Sequence, residues 1–581
     1  MENSLEVRED VEAGSESGCK YILLIGGVLS GLGKGTIASS IGRLFRSHNF
    51  SVTAIKIDPY LNIDAGTMSP FEHGEVFVLN DGTEVDLDLG NYERFLDVQL
   101  NRDNNITTGK IYDIVIKKER KGLYLGKTVQ VVPHICNEIQ DWILRVSRQR
   151  LPEMEADPEI CLIELGGTVG DIESMPFIEA MRQFQFRVGR SNLCVIHVSL
   201  VPVIGTAGEQ KTKPTQQSVQ QLRALGLSPD IILCRSTKPM NAEARLKISN
   251  FCHVSYESVL GLHDVSNLYR IPQLLYDQRI FTLLHRYLNI PMRKAVDFDQ
   301  WIELADTVDR LSGRSDLVVR VAMVGKYTEL EDAYISVCRA LKHACYWLKL
   351  RVEVDYVEAS ELESAESASY ERYWGLVRGA DAIIVPGGFG DRGIEGKVLA
   401  ARYARESNKP YLGICLGMQV SVIEYARSVL GWEDANSEEF AQNIEHPVIV
   451  FMPEISKVQM GGTMRLGKRR TYFRNKRSLI YSLYRRCFGG ELDWVDERHR
   501  HRYEVNLKFT EALSRGGMDF VGQDETGERQ EMVEIPGHKF YVGVQYHPEF
   551  LSRPNRPSPL FYGLMMAASN RLGEVWGEAK E

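Results

Sequence analysis

Short, β-rich apolar runs alternate with amphipathic helical stretches along this chain, and the series starts twice. KYILLIGG (20–27), SVTAIKIDPYL (51–61), EICLIELGG (159–167), LCVIHVSLVP (193–202) and DIILCRS (230–236) form the first series, with TIASSIGRLFRSH (36–48) and PTQQSVQQLRALG (214–226) between them. Strands spaced by helices predict parallel sheet covered by helices, an α/β layer architecture. The second series is LVVRVAMVGKY (317–327), RVEVDYVEA (351–359), DAIIVPGGFG (381–390), YLGICLG (411–417) and YVGVQYHPEF (541–550). AVDFDQWIELADTVDRLSGRSD (295–316) carries no strand pattern and reads as a linker helix. The expected division is a disordered acidic tail (1–19), a first domain (20–294), the linker (295–316), a second domain (317–572) and a short tail (573–581). Residues 456–500 are irregular, basic in part, and fit neither period.

The excess of acidic over basic residues gives a net charge of −9, which argues against a general nucleic-acid binder. Ten cysteines are scattered without a C-x-x-C pair, so neither a disulfide framework nor a thiolate zinc site is expected. No apolar run approaches the ~18 residues of a membrane span. A soluble, cytoplasmic protein is expected, without membrane or nucleic-acid partners.

GICLGMQ (413–419) is the most informative local motif. Gly413 and Gly417 flank Cys415 between an apolar strand and a helix-forming stretch, the arrangement of a nucleophile elbow. A cysteine chosen blindly is far more often inert and buried. Two further features reverse that preference. In QYHPEF, His547 and Glu549 can share one face, so the carboxylate can orient the imidazole as base to the thiol. In VPGGFG, Gly387 and Gly388 follow a strand and can offer N–H groups to an oxyanion. RHRHR (498–502), taken alone, reads as a solvated basic strand.

These residues resemble the class I glutamine amidotransferases, which hydrolyse glutamine through a Cys-His-Glu triad and release ammonia. The resemblance implies a thioester on Cys415. It assigns glutamine and oxyanion binding to Gly387, Gly388, Phe389, Leu416, Gln419, Glu439 and Arg502. An ammonia source calls for a consumer in the N-terminal half.

There, GGVLSGLGKGT (26–36) follows a strand, as a phosphate-binding loop does, but with altered spacing: Gly27 stands one residue too far from Gly33-Lys34, and Gly35 replaces the Ser/Thr before Thr36. Lys34 at a helix start favours an anion, and Lys56 on the next strand can reach the same place. Oxygen ligands for Mg²⁺ are available from Asp86 and Asp88 in EVDLDLG and from Glu164, embedded in an apolar run. Asp88 and Glu164 are the expected metal pair. Lys211 and Lys213 head a helix suited to a second polyphosphate.

GGVLSGLGKG, KIDPYLNIDAGTMSPFEHGEVFV, DGTEVDLDLGNYERF, ELGGTVGDIES and GEQKTKPTQ together resemble the CTP synthase family, over almost the whole chain. The resemblance implies two doubly wound domains: a P-loop NTPase-like synthetase domain of the dethiobiotin synthetase type and a class I glutaminase domain. It implies ATP at Gly31, Leu32, Gly33, Lys34, Gly35, Thr36, Asp88 and Val265. UTP and the inhibitor CTP are assigned to Ser30, Asp171, Ile172, Glu173, Lys211, Thr212, Lys213, Pro214, Thr215, Gln216 and Lys247. An ammonia tunnel is implied with His73 and Val76 near its mouth, as are Mg²⁺, activation by GTP, a homotetramer, and no redox or organic cofactor. A freestanding ATPase joined to a γ-glutamyl hydrolase, or an inactive assembly protein on the same fold, would carry the same local elements.

Overall fold

The computed structural model describes residues 18–27, 29–205, 208–452 and 463–574. The acidic tail lies outside them apart from its last two residues, as do most of the C-terminal tail and the start of GGTMRLG. Contacts divide the chain into two units, 1–63 with 91–305, and 64–90 with 306–581. Residues 64–90, inside the expected first domain, make most of their contacts in the second unit. The expected linker is the helix Phe298–Ser312, and the division falls within it.

The first unit is built on a seven-stranded, wholly parallel sheet. From edge to edge it runs Val259–His263, Ile231–Ser236, Leu193–Leu200, Lys20–Gly26, Ile160–Leu165, Val52–Asp58 and Asn105–Thr107. Lys20–Gly26 is central, and its residues Tyr21 to Leu24 are fully buried, as expected of a strand covered by helices on both faces. Strand order reverses on either side of it, so the crevice at the carboxyl ends of the central strands is the expected ligand position.

The second unit has a nine-stranded sheet. Arg351–Glu358, Val318–Gly325, Ala382–Val385, Tyr411–Ile414 and Tyr541–Val544 are parallel neighbours in that order. Gln530–Glu534, Asp519–Gln523, Arg465–Phe473 and Trp494–His501 continue it antiparallel. The described part of the unassigned 456–500 region therefore supplies two sheet strands and the helix Leu479–Phe488. Its long strands interrupted by charge hide the period of two.

Candidate functional site

In the second unit, four carboxyl-terminal strand ends meet around Cys415. The cysteine follows Tyr411–Ile414 and caps the helix Leu416–Ser428 with φ 53° and ψ −104°, a positive φ that is costly for a non-glycine residue. The flanking glycines are required by close approach. A Cβ on Gly417 would lie 1.9 Å from the Val385 carbonyl oxygen, and one on Gly413 2.5 Å from the Gly417 oxygen. Gly417→Ala is expected to cost roughly 2–4 kcal/mol through overpacking. Gly375→Ala, on a helix with nothing within 4 Å of the added carbon, is expected to be neutral or stabilising by up to about 1 kcal/mol. Thermal midpoints of the two variants check the contrast.

His547 Nδ1 lies 2.7 Å from Glu549 Oε1, which sets the ring's orientation and supports its charge. Burial disfavours the imidazolium, but the Glu549 carboxylate and interactions with Cys415 prevail and push the His547 pKa up to about 10. Nε2 is buried with no partner inside hydrogen-bond length among the described residues. The pairing to the thiol is therefore loose, as is common in the absence of substrate. Gly387 lies against both residues: a Cβ there would sit 2.9 Å from His547 Cε1 and 3.5 Å from Cys415 Cβ. The Gln545 side-chain amide lies 3.6 Å from Cys415 Sγ.

A small cavity of about 70 Å³ is lined by Cys415, His547, Glu549, Gly387, Gly388 and Phe389, with Val76, Tyr334 and Arg500 among its other walls. Val76 thus lies beside the nucleophile. His73 ends the short exposed helix Pro70–His73 and is outside this lining. Leu416 opens the helix after the nucleophile. Gln419 is buried, its amide donating to the Tyr503 carbonyl and Gln545. Glu439 accepts from the Gly390 N–H at 3.1 Å; burial raises its pKa against the pull of Lys326 and Arg502, which brings both cations into its surroundings.

Two further lysines border the Gly-Gly loop. Lys326 follows the strand Val318–Gly325 and donates to the carbonyls of Phe389 and Gly390. Burial brings its pKa down to about 8. Lys397 is fully buried, donates to the Pro386 carbonyl at 3.3 Å, and has its pKa lowered by burial. Together they pin the Gly-Gly loop from both ends. A lysine just past an apolar strand, as in VGKY, is the only sequence signal for either.

The RHRHR stretch corrects an expectation. It belongs to the strand Trp494–His501, and Arg498, His499 and His501 are buried rather than solvated. Arg498 donates to Asn80 and to the Val78 carbonyl, and Arg500 pairs with Glu84 at 2.7 Å. Residues 77–84 thus supply the acceptors that let a basic strand be internal. Arg502, just beyond the strand, also accepts the Met452 N–H.

Glu497 on the same strand is fully enclosed. Burial raises its pKa to about 8, with the charge of Glu549 adding to it, against an accepted hydrogen bond from Tyr484 at 2.7 Å. Unfolded, this carboxyl ionises near 4.5; folded, it stays neutral to about 8. Stability is therefore fully present below 4.5 and is lost as pH rises towards 8. Glu497→Gln removes this loss, so the variant should gain on the parent between pH 5 and pH 8 in thermal melts. A gap that does not widen with pH would remove the buried-acid assignment.

In the first unit the glycine-rich stretch folds as a strand–turn–helix. Gly31 and Gly33 take φ of 73° and 79°, and the helix Lys34–Ser47 follows. Its first intrahelical bond runs from the Ile37 N–H to Gly33, so the first turn has no intrahelical acceptor for its N–H groups and suits an anion. Leu32 is buried and Ser30 exposed. The odd position of Gly27 has a packing cause: a Cβ there would lie 1.6 Å from Ser218 Oγ, the hydroxyl that meets buried His197 at 2.6 Å.

Lys34 Nζ donates to the Gly167 carbonyl at 2.7 Å. Lys56 pairs with Asp58 at 3.0 Å, both buried, and Asp58 also accepts from Asn105. Asp58, in KIDPY, ends the strand Val52–Asp58. Lys56 is the register partner of Glu164 on the adjacent strand. Glu164 is buried and accepts from the Tyr92 hydroxyl, a donor that makes a buried carboxylate tolerable. Asp88 lies in the first turn of the helix Leu87–Leu96, its N–H bonded to Asp86 at 3.0 Å. Among the described residues no group of three or more His, Cys, Asp or Glu forms a metal cage. Mg²⁺ needs only one or two carboxylates beside substrate phosphates and water, which the oxygens of Glu164 fit.

Of the remaining expected residues, Asp171 accepts from the Thr168 N–H and hydroxyl, and Ile172 is exposed. Lys211 pairs with Glu209 at 2.6 Å. Lys213 and Pro214 open the helix Lys213–Ala224, with Thr212 and Thr215 buried and Gln216 donating to Thr212. Lys247 lies on the helix Ala242–Cys252, and Val265 follows the edge strand Val259–His263.

The elbow, the adjoining His–Glu pair and the Gly-Gly loop at parallel strand ends define a class I glutamine amidotransferase, and residues 329–567 match that family's description. Residues 20–290 match "CTP synthase N-terminus". The chain is 59% identical to CTP synthase of Dictyostelium discoideum over 572 residues, 96% of this chain and all of that one. Identity to CTP synthase 1 of Homo sapiens is 55%, covering 95% and 93%. The solved glutaminase domain of Trypanosoma brucei CTPS with bound acivicin is 41% identical, covering 44% of this chain and 94% of that one, with a TM-score of 0.40. The chain belongs to the CTP synthase family, ATP-dependent ligases that take nitrogen from glutamine.

Proposed function

We propose that the chain aminates UTP to CTP in the final step of de novo CTP synthesis. Direct displacement of the uracil 4-oxygen would expel hydroxide, a poor leaving group. Transfer of the ATP γ-phosphoryl group to that oxygen makes the leaving group inorganic phosphate. Ammonia then adds at carbon 4 and phosphate departs. Lys34 and Lys56 stabilise charge on the transferring group, while the N–H groups of residues 34–36 hold the polyphosphate. Mg²⁺, when bound with ATP, neutralises phosphate charge; Glu164 would hold it. The Thr168–Asp171 turn, Glu173, residues 211–216 and Lys247 would receive UTP or, as inhibitor, CTP.

In the second unit Cys415 attacks the glutamine side-chain amide, with His547 taking the thiol proton and passing it to departing ammonia. The acyl group remains as a thioester, which water hydrolyses to glutamate. Gly387 and Gly388 donate to the oxyanion, and Gln419, Glu439 and Arg502 receive the amino-acid end. Val76, beside the nucleophile, fits an early position on an ammonia route, with His73 further along. Activation by GTP, homotetramer assembly and a cytoplasmic location complete this reading.

The observation that carries it is the union in one chain of a charged elbow site (Cys415 with the 2.7 Å His547–Glu549 pair) and a lysine-bearing anion loop. Incubation with ATP, glutamine and UTP, with CTP read by chromatography, tests it. ATP and glutamine hydrolysis without CTP would instead identify an ATPase joined to a γ-glutamyl hydrolase.

A further inference from the structure

The glutaminase unit contains a second cavity, of about 280 Å³, that the chemistry above does not use. Its walls come from the helix Ile335–Leu348, the edge strand Arg351–Glu358 and the turn before the helix. Arg339 and Lys342, three residues apart, share one helix face and both line it. Opposite them, Val352, Val354 and Tyr356 are alternate residues of the edge strand. Cys338 Sγ lies 3.2 Å from the Tyr356 hydroxyl.

Two cations on one face repel each other, and walls that exclude water strengthen the repulsion. Burial lowers the Lys342 pKa, and the Arg339 charge lowers it further. Neither side chain has an ion pair among the described residues. Both are half-buried, whereas the acidic residues of the lining, Glu331 and Asp332, are exposed. The cations are therefore the less exposed charges of the lining, with Glu331 acting on Lys342 from the more exposed side. We propose that this cavity is a binding site for a small anion, a phosphate ester or a dicarboxylate, held by Arg339 and Lys342 with the Tyr356 hydroxyl as a further donor and the valines against its apolar body. The volume lies just below the ~300–1,000 Å³ of drug-sized sites, so the occupant is small. Turn Glu331–Tyr334 borders both this cavity and the one at Cys415, but the proposal does not depend on the glutaminase reading.

Calorimetric titration of the intact protein with inorganic phosphate, and separately with succinate, tests it. Wild type is expected to bind one more equivalent of at least one probe than Arg339→Gln/Lys342→Gln. Lys342→Met alone should weaken that extra site about tenfold, and it serves if the double variant does not fold. Extra binding of phosphate only identifies a phosphate ester as the ligand class, and of succinate only a dicarboxylate. Identical isotherms for wild type and variants, or no saturable binding of either probe to about 10 mM, overturn the proposal.

Discussion

Cys415→Ala is expected to abolish CTP formation from glutamine, by about 10³-fold or more, while CTP formation from added ammonia stays within about twofold of wild type. The nucleophile sits on an elbow whose helix, strand and glycine contacts all lie in the second unit. Alanine removes one sulfur and leaves the backbone turn free to form. ATP and UTP are assigned to loops of the first unit, apart from Asp88, so their chemistry has no need of the thiol. Parallel assays with glutamine and ammonium at high pH read the two activities. Loss of both in a variant that melts like wild type would contradict separate sites for ammonia release and ammonia use.

Lys34→Ala should lower synthesis from either nitrogen source by about 10²–10³-fold, the loss seen when a preorganised charge is removed from a transition state. Glutamine hydrolysis should survive. Lys34 Nζ donates to the Gly167 carbonyl, and an ammonium carries three donors in all, a set suited to phosphate oxygens. Because Nζ would lie only 2.8 Å from a Cβ on Gly26, the pocket is shaped around this amine. Lys34→Arg is accordingly not expected to rescue. Ammonia-dependent synthesis retained in Lys34→Ala would remove this lysine from phosphoryl transfer and leave Lys56, paired with Asp58, to carry it.

KYILLIGG and the start of YLGICLG read as buried parallel strands, because short, near-continuous apolar runs bounded by glycine and spaced by helices fit a sheet covered on both faces. Cys415, His547 and Glu549 were legible because an elbow and an i, i+2 pair are local geometries. The glycine loop was legible for the same reason, although the cause of Gly27 lay 191 residues away at Ser218. Relations between distant segments lie beyond any local pattern. Lys326 and Lys397 close the Gly-Gly loop through carbonyls that no spacing rule connects to them. RHRHR looked like a solvated strand and is internal, because Val78, Asn80 and Glu84 bring it acceptors from more than 400 residues earlier. Charge can be buried only where partners are supplied, and a linear sequence does not state which partners will arrive.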